Sequence, residues 1–319
     1  MVREFPSLDD LRAGGKRVLS RVLSRLETDW GTPELAVFLD HAAVSASAHV
    51  LGLTGPPGVG KSTLIDALIR AFRQRGERVC VLAIDPSSRF TGGALLGDRT
   101  RFQTDPDDMD VFVRSMAARD RLGGLSDHAM AAIAVLRAVC DRVIVESVGI
   151  GQSESDLAQA ADTVVLCIQP GSGDSLQFMK AGVMELPDVV AVTKSDMGPV
   201  ARRAAADVAG ALSLFRGRDD GWKVPVCELS AKDGHNIDAL LENLQRHADF
   251  LLEDDRLSTQ RLSQQDHWFQ DMVRVAYGQV GLSLVLSSEG PFAGRLKPDN
   301  RRPFTTFHEA SNLLSSRLG

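Results

Sequence analysis

Residues 55–63 read Gly-Pro-Pro-Gly-Val-Gly-Lys-Ser-Thr, which matches the pattern G-x-x-x-x-G-K-[ST]. The glycines of such a loop let the backbone wrap around a chain of phosphates with its N–H groups pointing inward. We expect Lys61 to reach the β- and γ-phosphates and the Ser62 hydroxyl to bind Mg²⁺. The predicted phosphate-binding residues are Gly55, Pro56, Pro57, Gly58, Val59, Gly60, Lys61, Ser62 and Thr63.

The flanking sequence predicts a strand before this loop and a helix after it. Residues 49–54 read His-Val-Leu-Gly-Leu-Thr, which is typical of a buried strand. Apolar residues then recur at helical spacing, namely Leu64, Ile65, Leu68, Ile69 and Phe72. Because a functional loop of this type joins a strand to a helix, the context disfavours an accidental glycine-rich turn.

Strand-like and helix-like runs alternate along the middle of the chain. Strands are predicted at 50–54, 79–84, 111–114, 142–146, 163–169, 189–193 and 224–228. Helices are predicted after several of them, at 127–140, 172–185, 199–214 and 236–252. Continuous apolar strands separated by helices predict an α/β fold, with a mostly parallel sheet covered by helices on both faces.

Helical segments without strands flank this alternating region. We expect an N-terminal helical arm at 1–47, a nucleotide-binding domain at 48–253 and a C-terminal helical extension at 254–319. In the arm, Ser7 with Asp10 predicts a capping box opening a helix over 7–28, and Thr32-Pro33 opens a second helix. The extension is predicted to hold a long helix at 256–286 and a short helix from Thr306.

Composition and charge exclude several classes of protein. The 319-residue chain is 44% hydrophobic and 24% charged, with a formal net charge of −6. This balance gives no electrostatic case for binding nucleic acid or an anionic membrane. The first residues lack the apolar core of a signal peptide, and no uncharged apolar run is long enough to span a membrane. We therefore expect a cytoplasmic protein, or one in the lumen of an organelle.

The cysteines and histidines show no metal-ligand spacing. The four cysteines, Cys80, Cys140, Cys167 and Cys227, include no C-x-x-C pair, and three lie within or beside apolar runs. We interpret them as small buried residues in a reducing compartment.

Two acids close predicted strands at the edge of the sheet where the phosphate site lies. Asp85 ends the second strand and Glu146 ends the fourth, and both are expected to bind Mg²⁺, directly or through water. A turn aspartate before Pro86 is the alternative for Asp85.

Two loops are candidates for ordering around the γ-phosphate. Residues 91–100 read Thr-Gly-Gly-Ala-Leu-Leu-Gly-Asp-Arg-Thr, in which Asp98 is a candidate to position water or magnesium. Glu146 opens the element Glu-Ser-Val-Gly, whose Gly149 N–H is expected to meet the γ-phosphate. In Ras-like proteins a glutamine follows this glycine and orients the attacking water, but Ile150 stands here. We therefore predict slow intrinsic hydrolysis, with catalytic groups supplied by a rearrangement or by a partner.

Two further elements predict that the base is guanine. Residues 193–196 read Thr-Lys-Ser-Asp and fit [NT]-K-x-D, in which the Asp196 carboxylate accepts the N1–H and exocyclic amine of guanine. Lys194 is expected to lie along the base. After the next strand, Ser230, Ala231 and Lys232 fit the element that supports the guanine carbonyl. The two elements in this order favour GTP and GDP over ATP.

Together these stretches resemble the MeaB/ArgK GTPases, a family that includes the methylmalonic aciduria type A protein. The resemblance rests on the motifs quoted above and on residues 146–154, Glu-Ser-Val-Gly-Ile-Gly-Gln-Ser-Glu, and 170–177, Pro-Gly-Ser-Gly-Asp-Ser-Leu-Gln. It implies a GTP-hydrolysing chaperone of an adenosylcobalamin-dependent acyl-CoA mutase that gates cofactor loading and protects the mutase. It further implies a homodimer formed by the C-terminal extension, and roles for Asp174 and Lys180 in a third switch loop. Thr193, in place of the usual asparagine, and residues 114–119 depart from the family pattern.

Three other functions remain open at this level. A nickel-inserting GTPase would require a Cys/His cluster, which the spacing does not provide. A kinase would require an acceptor pocket with a base. A non-enzymatic nucleotide-gated scaffold is disfavoured by intact Lys61, Ser62 and Glu146.

Overall fold

A parallel sheet forms the centre of the molecule. The structure is a computed structural model that describes residues 4–85, 102–117, 125–147, 153–171, 183–214, 220–287 and 302–318. Its strands are β1 (His49–Thr54), β2 (Val79–Asp85), β3 (Val111–Ala117), β4 (Arg142–Glu146), β5 (Thr163–Ile168), β6 (Val189–Val192) and β7 (Val226–Glu228). They lie in the order β3-β2-β4-β1-β5-β6-β7, and each neighbouring pair is parallel. The predicted α/β fold is confirmed.

Helices cover the sheet, and further helices lie before its first strand and after its last strand in the chain. Those in the described residues are α1 (Leu8–Ala13), α2 (Gly15–Thr28), α3 (Pro33–Val44), α4 (Lys61–Gln74), α5 (Asp127–Val139), α6 (Ser153–Ala158), α7 (Pro199–Leu214), α8 (Ile237–Leu252), α9 (Arg256–Leu286) and α10 (Pro303–Leu318). Most of the helix predicted at 172–185 lies outside the described residues. No helix in the described ranges is both long and apolar enough to cross a membrane.

The first predicted helix is broken into two. The Ser7–Asp10 capping box is present, but α1 ends at Ala13 and α2 begins at Gly15. Gly14 N–H donates to the Asp10 carbonyl at 2.8 Å, and Gly15 has a φ of 65°, a left-handed conformation that favours glycine. The prediction of one helix over 7–28 was therefore wrong at this junction.

The N-terminal helices pack on the sheet domain through a shared hydrophobic core. Leu11, Leu23 and Leu39 belong to the same buried cluster as Ala132 and Leu136 of α5. Burying this apolar surface supplies the main stabilisation of the arm. The arm is thus continuous with the core beside β2 and β4, and the domain boundary at residue 47 stays a proposal.

All four cysteines are buried, as expected, but two of them are bonded. Cys80 and Cys140 form a disulfide with their Cα atoms 6.3 Å apart, while Cys167 and Cys227 are free thiols. The expectation of reduced cysteines was therefore wrong for this pair. The packing of α5 against β2 brings together two residues that are 60 positions apart in the chain, and no local spacing signals that contact.

A buried ionic cluster of Asp162, Arg137 and Arg261 connects α9 to the start of β1 and β5. Asp162 is fully buried and accepts hydrogen bonds from Arg261 Nε and Nη2, both at 2.8 Å, and from Val50 N–H at 2.7 Å. Arg137 Nη2 lies 3.5 Å from the same carboxylate. Burial alone would raise the pKa of Asp162, but the two guanidiniums outweigh it and lower the pKa to about 2. The carboxylate therefore stays ionised and holds the cluster together.

His49, which borders this cluster, makes the stability of the fold sensitive to acid. Burial lowers the pKa of His49 from 6.5 to about 4, although Asp162 opposes the shift. The unfolded chain thus takes up this proton at a higher pH than the folded chain does. The contribution of the neutral His49 to the free energy of unfolding is complete above pH 6.5. It is lost as the pH falls toward 4.

We predict that His49→Gln removes part of the acid sensitivity. Between about pH 7 and pH 4.5, the free energy of unfolding of the native chain should fall by about 2–3 kcal/mol more than that of the variant. Glutamine keeps a polar group near Thr163, which lies 2.7 Å from the imidazole Nε2. Urea unfolding at both pH values measures the difference. If the free energy of unfolding fell by the same amount in both proteins, the proposed role of His49 would be contradicted.

Candidate nucleotide-binding site

The predicted phosphate-binding loop connects β1 to α4 at the carboxyl edge of the sheet. The first turn of α4 begins at Lys61, directly after Gly60, which has a φ of 101°. Gly55 has a φ of 138°, and a Cβ there would lie 2.3 Å from the Cys167 carbonyl oxygen. Only glycine fits so close to β5. The first-turn N–H groups of α4 have no partner within the helix and carry its positive dipole end, which suits an anion.

Lys61 folds back over the loop that precedes it. Its side chain is buried, and Nζ donates to the carbonyl oxygens of Gly55 at 2.6 Å and Pro56 at 3.3 Å. These contacts hold a positive charge beside the backbone N–H groups of the loop. The arrangement concentrates donors at the position predicted for the phosphates.

Glu146 and Asp85 end neighbouring strands at the same carboxyl edge of the sheet as this loop. Both carboxylates are buried, and β4 pairs with β2 in a register that sets Glu146 opposite Ala83. The Ser62 hydroxyl donates to Glu146 Oε1 at 3.5 Å. Oxygen ligands of this kind are those that Mg²⁺ prefers. Within the described ranges there is no group of three or more His, Cys, Asp or Glu that could hold a metal ion.

Cys167 on β5 lies behind the loop and is chemically inert. Burial raises the pKa of its thiol to about 12, with a further rise from Glu146 and an opposing effect of Lys61. The thiol stays protonated at neutral pH and serves as packing.

Thr193 ties the guanine-reading element to the phosphate-binding loop. Its Oγ1 lies 2.7 Å from the Val59 carbonyl oxygen and 3.2 Å from that of Ile168. A side chain at this position needs a hydrogen-bond donor that reaches Val59. Threonine is a departure from asparagine in the sequence pattern, so its role here was not predicted; the shared donor capacity of the two side chains was the available signal.

Lys194 and Asp196 follow at the end of β6. Lys194 has a φ of 55°, and its Nζ donates to the Gly58 carbonyl at 2.8 Å and to Gln169 Oε1 at 2.7 Å. Asp196 lies in an exposed single turn of 3₁₀-helix, Ser195–Met197. The lysine therefore lies along the phosphate-binding loop, while the aspartate is accessible to a base.

The second guanine element lies beside the first. Ser195 N–H donates to the Leu229 carbonyl at 3.0 Å, which joins the end of β6 to the end of β7. Ser230 exchanges backbone hydrogen bonds with His235, and its hydroxyl donates to Asp233 Oδ2 at 3.0 Å. Ala231 is partly buried and Lys232 is exposed.

The structure thus brings together the phosphate-binding loop, Asp85, Glu146 and both guanine elements. Asp98, Gly149 and Lys180 lie outside the described residues, as do Gln152 and Asp174 of the neighbouring loops.

We predict that Thr193→Val weakens both the fold and the site. Valine matches the shape of threonine but leaves the Val59 carbonyl without this donor, at a cost of about 1–2 kcal/mol in the free energy of unfolding. Because the contact positions the loop, GTP affinity should fall about tenfold. Thr193→Ser, which keeps the hydroxyl, is the matched control. Nucleotide titration and urea unfolding provide the readouts, and native-like binding by the valine variant would refute the role.

Comparison with known proteins decides the family. The family model described as "Methylmalonyl Co-A mutase-associated GTPase MeaB" matches residues 24–280. The chain belongs to the MeaB family. The match spans the phosphate-binding loop, both acids and the two guanine elements, so this MeaB-family protein binds guanine nucleotide and is a GTPase.

Curated relatives include several named GTPases. A putative GTPase of Pyrococcus horikoshii is 41% identical over 80% of each chain. A probable GTPase of Mycobacterium tuberculosis is 36% identical over 83% of this chain and 81% of that protein. A mouse protein described as "Methylmalonic aciduria type A homolog, mitochondrial" is 36% identical over 70% of this chain and 55% of its own length.

A solved structure shares the fold of this MeaB-family chain. The crystal structure of a "LAO/AO transport system kinase" superimposes with a TM-score of 0.67 over 98% of this chain and 96% of that one, at 23% identity. The likeness supports the architecture of sheet and flanking helices.

Proposed function

We propose that this GTPase is a chaperone of an adenosylcobalamin-dependent acyl-CoA mutase of the methylmalonyl-CoA mutase type. It would gate loading of the cofactor and protect the mutase from inactivation. The observation that carries the proposal is the family match over residues 24–280, whose description names that mutase. Relatives in mouse and in Caenorhabditis elegans described as methylmalonic aciduria type A homologs support it.

The phosphate end of the proposed GTP site is built from donors and acids. Residues 55–63 enclose the phosphates, and Lys61 exchanges its carbonyl partners for the β- and γ-phosphates. Ser62, Asp85 and Glu146 would hold Mg²⁺, and the observed contact between Ser62 and Glu146 fits that assignment. When bound, the ion supplies positive charge that neutralises the phosphates. The proposed catalytic residues also include Asp98, Gly149 and Lys180 of the switch loops, which lie outside the described residues.

The base end is assigned to the two guanine elements. The exposed Asp196 carboxylate accepts the paired donors of guanine, and Lys194, already aligned along the phosphate-binding loop, covers the base. Ser230, Ala231 and Lys232 support the guanine carbonyl. The backbone bond from Ser195 to Leu229 keeps the two elements in register.

We further propose a cytoplasmic homodimer formed through the C-terminal extension. Exposed apolar side chains on α9 support this surface: Val275, Val280 and Leu286 are 61%, 63% and 51% accessible. Burial of such side chains in an interface is favourable.

The test of the proposed function is GTP turnover with and without the purified mutase. The GTPase alone should be slow, and the mutase should accelerate it by at least about tenfold by ordering the switch loops. By linkage, the mutase should then bind more tightly in the GTP state than in the GDP state.

Lys180→Ala separates the partner effect from nucleotide binding. We expect it to lose mutase stimulation while GTP affinity stays near the native value. Lys223→Ala is the matched control, because Lys223 is an exposed lysine before β7, away from the carboxyl edge of the sheet. Native turnover that is fast alone and indifferent to the mutase would overturn the chaperone proposal.

A further inference from the structure

A groove runs along the outer edge of the sheet, beside β3. It has a volume of about 730 Å³ and opens to solvent. Among the described strands, β3 pairs only with β2 and therefore ends the sheet on this side. Three consecutive residues of β3, Val111–Val113, line the groove. Because neighbouring residues of a strand point to opposite faces of a sheet, a cavity that touches all three lies against the edge of β3.

The main-chain groups of Val113 face this groove. Val79 N–H donates to the Asp110 carbonyl at 2.9 Å, so the main chain of Asp110 faces β2. Main-chain groups of successive residues in a strand face alternate sides, and those of Val111 and Val113 therefore point away from β2. Val111 N–H donates to the Asp108 carbonyl at 3.3 Å, whereas no backbone acceptor for Val113 N–H lies among the described residues. Val113 is partly exposed, so an extended chain can reach these groups.

The two walls of the groove lie on opposite faces of the sheet. One wall is α2, which shares a hydrophobic cluster with Phe112 and with α5. The other wall is the segment 102–106, whose Phe102 belongs to the cluster formed by α4 and Val111. An extended chain paired with β3 would therefore turn alternate side chains toward α2 and toward the segment 102–106.

The α2 wall is cationic. Arg17 and Arg21 line the groove one helical turn apart, both are exposed, and neither forms an ion pair with a described residue. Asp108 and Asp110, which lie just before β3, are already paired with Arg73. The lining residues that the structure describes include no acid. In a chain of net charge −6, this local excess of positive charge suits an acidic partner.

The opposite wall has an apolar surface. Phe102 and Pro106 line it, and Phe102 is 8% exposed. Asp105 and Asp107 are exposed but are not among the lining residues. Lys16 Nζ donates to the Pro106 carbonyl at 2.9 Å and so connects the two walls. A carboxylate is a stronger acceptor for an ammonium than a carbonyl is, so an acidic chain in the groove would draw Lys16 away from Pro106.

We propose that β3 binds an extended acidic segment of a partner protein as an eighth strand of the sheet. The main-chain groups of Val113 would pair with the segment. Its acidic side chains would contact Arg17 and Arg21, and the alternate side chains, which are apolar, would pack on Phe102. The segment therefore alternates acidic and apolar residues. The groove borders the start of β3, away from the carboxyl edge of the sheet, so binding needs no nucleotide.

Fluorescence anisotropy of a labelled peptide tests the proposal on the native full-length chain. The probe is fluorescein-labelled Glu-Val-Glu-Val-Glu-Val with its carboxyl terminus amidated. At about 0.15 M salt it should bind with a Kd in the micromolar range, and equally well with GTP, GDP or no nucleotide. The peptide Glu-Glu-Glu-Val-Val-Val, which has the same composition and charge but no alternation, is the matched control. It should bind at least about tenfold more weakly.

A charge-reversal variant locates the peptide. Arg17→Glu combined with Arg21→Glu replaces two attractions by two repulsions and should weaken the alternating peptide at least about tenfold. Arg202→Glu combined with Arg203→Glu changes two exposed arginines on α7 by the same amount and is the matched control. It should bind the peptide like the native chain. Melting temperatures near the native value would show that both variants are folded.

Amide hydrogen exchange reports the main-chain contact directly. Val113 N–H faces the groove and should exchange at least about tenfold more slowly in the complex with the alternating peptide. Phe112 N–H faces β2 in the alternation described above and is the internal control. Its exchange rate should stay near the value of the free protein. A rise in the protection of Val113 alone distinguishes strand addition from attachment through side-chain charge.

Several results would overturn the proposal. Equal affinity for the two peptides would identify a general attraction between charges, as would displacement of the probe by a single-stranded oligonucleotide of equal charge. Absence of binding, or native-like binding by the variant with both Arg17→Glu and Arg21→Glu, would exclude the groove as the site. Unchanged exchange at Val113 would exclude strand addition. If the double variant fails to fold, the two peptides and the exchange of Val113 in the native chain still decide the outcome.

Discussion

Replacing Lys61 by alanine is expected to lower kcat for GTP hydrolysis by about 10²–10³-fold, the usual cost of losing a donor that stabilises charge in the transition state. The buried ammonium, held beside Gly55 and Pro56, is the cation that the structure places in the phosphate-binding loop. GTP affinity should fall about tenfold or more, because a charge-assisted contact contributes about 1.5–3 kcal/mol.

Single-turnover hydrolysis and nucleotide titration separate these two effects of Lys61→Ala. Lys223→Ala serves as the control for the loss of a lysine charge. A melting temperature near the native value would show that the variant is folded. Unchanged affinity and turnover in a folded Lys61→Ala protein would refute the assignment of the loop.

Asp196→Asn is expected to change the preferred base of the bound nucleotide from guanine to xanthine. The carboxylate accepts two donors of guanine, whereas asparagine keeps one oxygen that accepts and turns an NH₂ group toward the other donor. Loss of one hydrogen bond worth about 1.5–3 kcal/mol should lower GTP affinity by about 10–10²-fold. Xanthine presents a carbonyl where guanine carries its amine, and the asparagine amide can donate to it. XTP affinity should therefore rise.

Because Asp196 is exposed, its substitution disturbs no packing, and the affinities of the native and variant chains can be compared directly. Asp207→Asn, at an exposed site on α7, is the matched control and should leave both affinities unchanged. Competition of GTP, XTP and ATP for the native and variant chains provides the measurement. A variant that still prefers GTP would remove Asp196 from the base site.

Local sequence signals were sufficient for the sheet and the phosphate-binding loop. Most strands of the sheet contain a continuous apolar run, and β4 has the predicted bounds, residues 142–146. The exception is β3, which carries Arg114 and Ser115 and extends to Ala117, beyond the predicted end at 114. The loop motif has a spacing that few other structures use, so the sequence alone is enough to propose Lys61 and Ser62 as phosphate and magnesium ligands. Where local pattern and tertiary packing agree, the sequence is informative.

Features that depend on distant contacts were not predictable in the same way. The pairing of Cys80 with Cys140 and that of Asp162 with Arg261 join residues 60 and 99 positions apart. Neither leaves a periodic signal in the chain. The bend in α9 at Gly278, with a φ of 66° and ψ of −169°, was also missed, because a single glycine is tolerated in a helical pattern.

The hydrogen bonds from Phe304 and Thr305 to Asp40 have a consequence for how the protein is made. The first of these pairs spans 264 positions, so Asp40 leaves the ribosome roughly 13–53 s before its partner at a synthesis rate of about 5–20 residues per second. During that interval the apolar face of α3 lacks its cover from α10. That face is therefore open to wrong contacts until α10 has been made, and removal of α10 would leave it uncovered permanently.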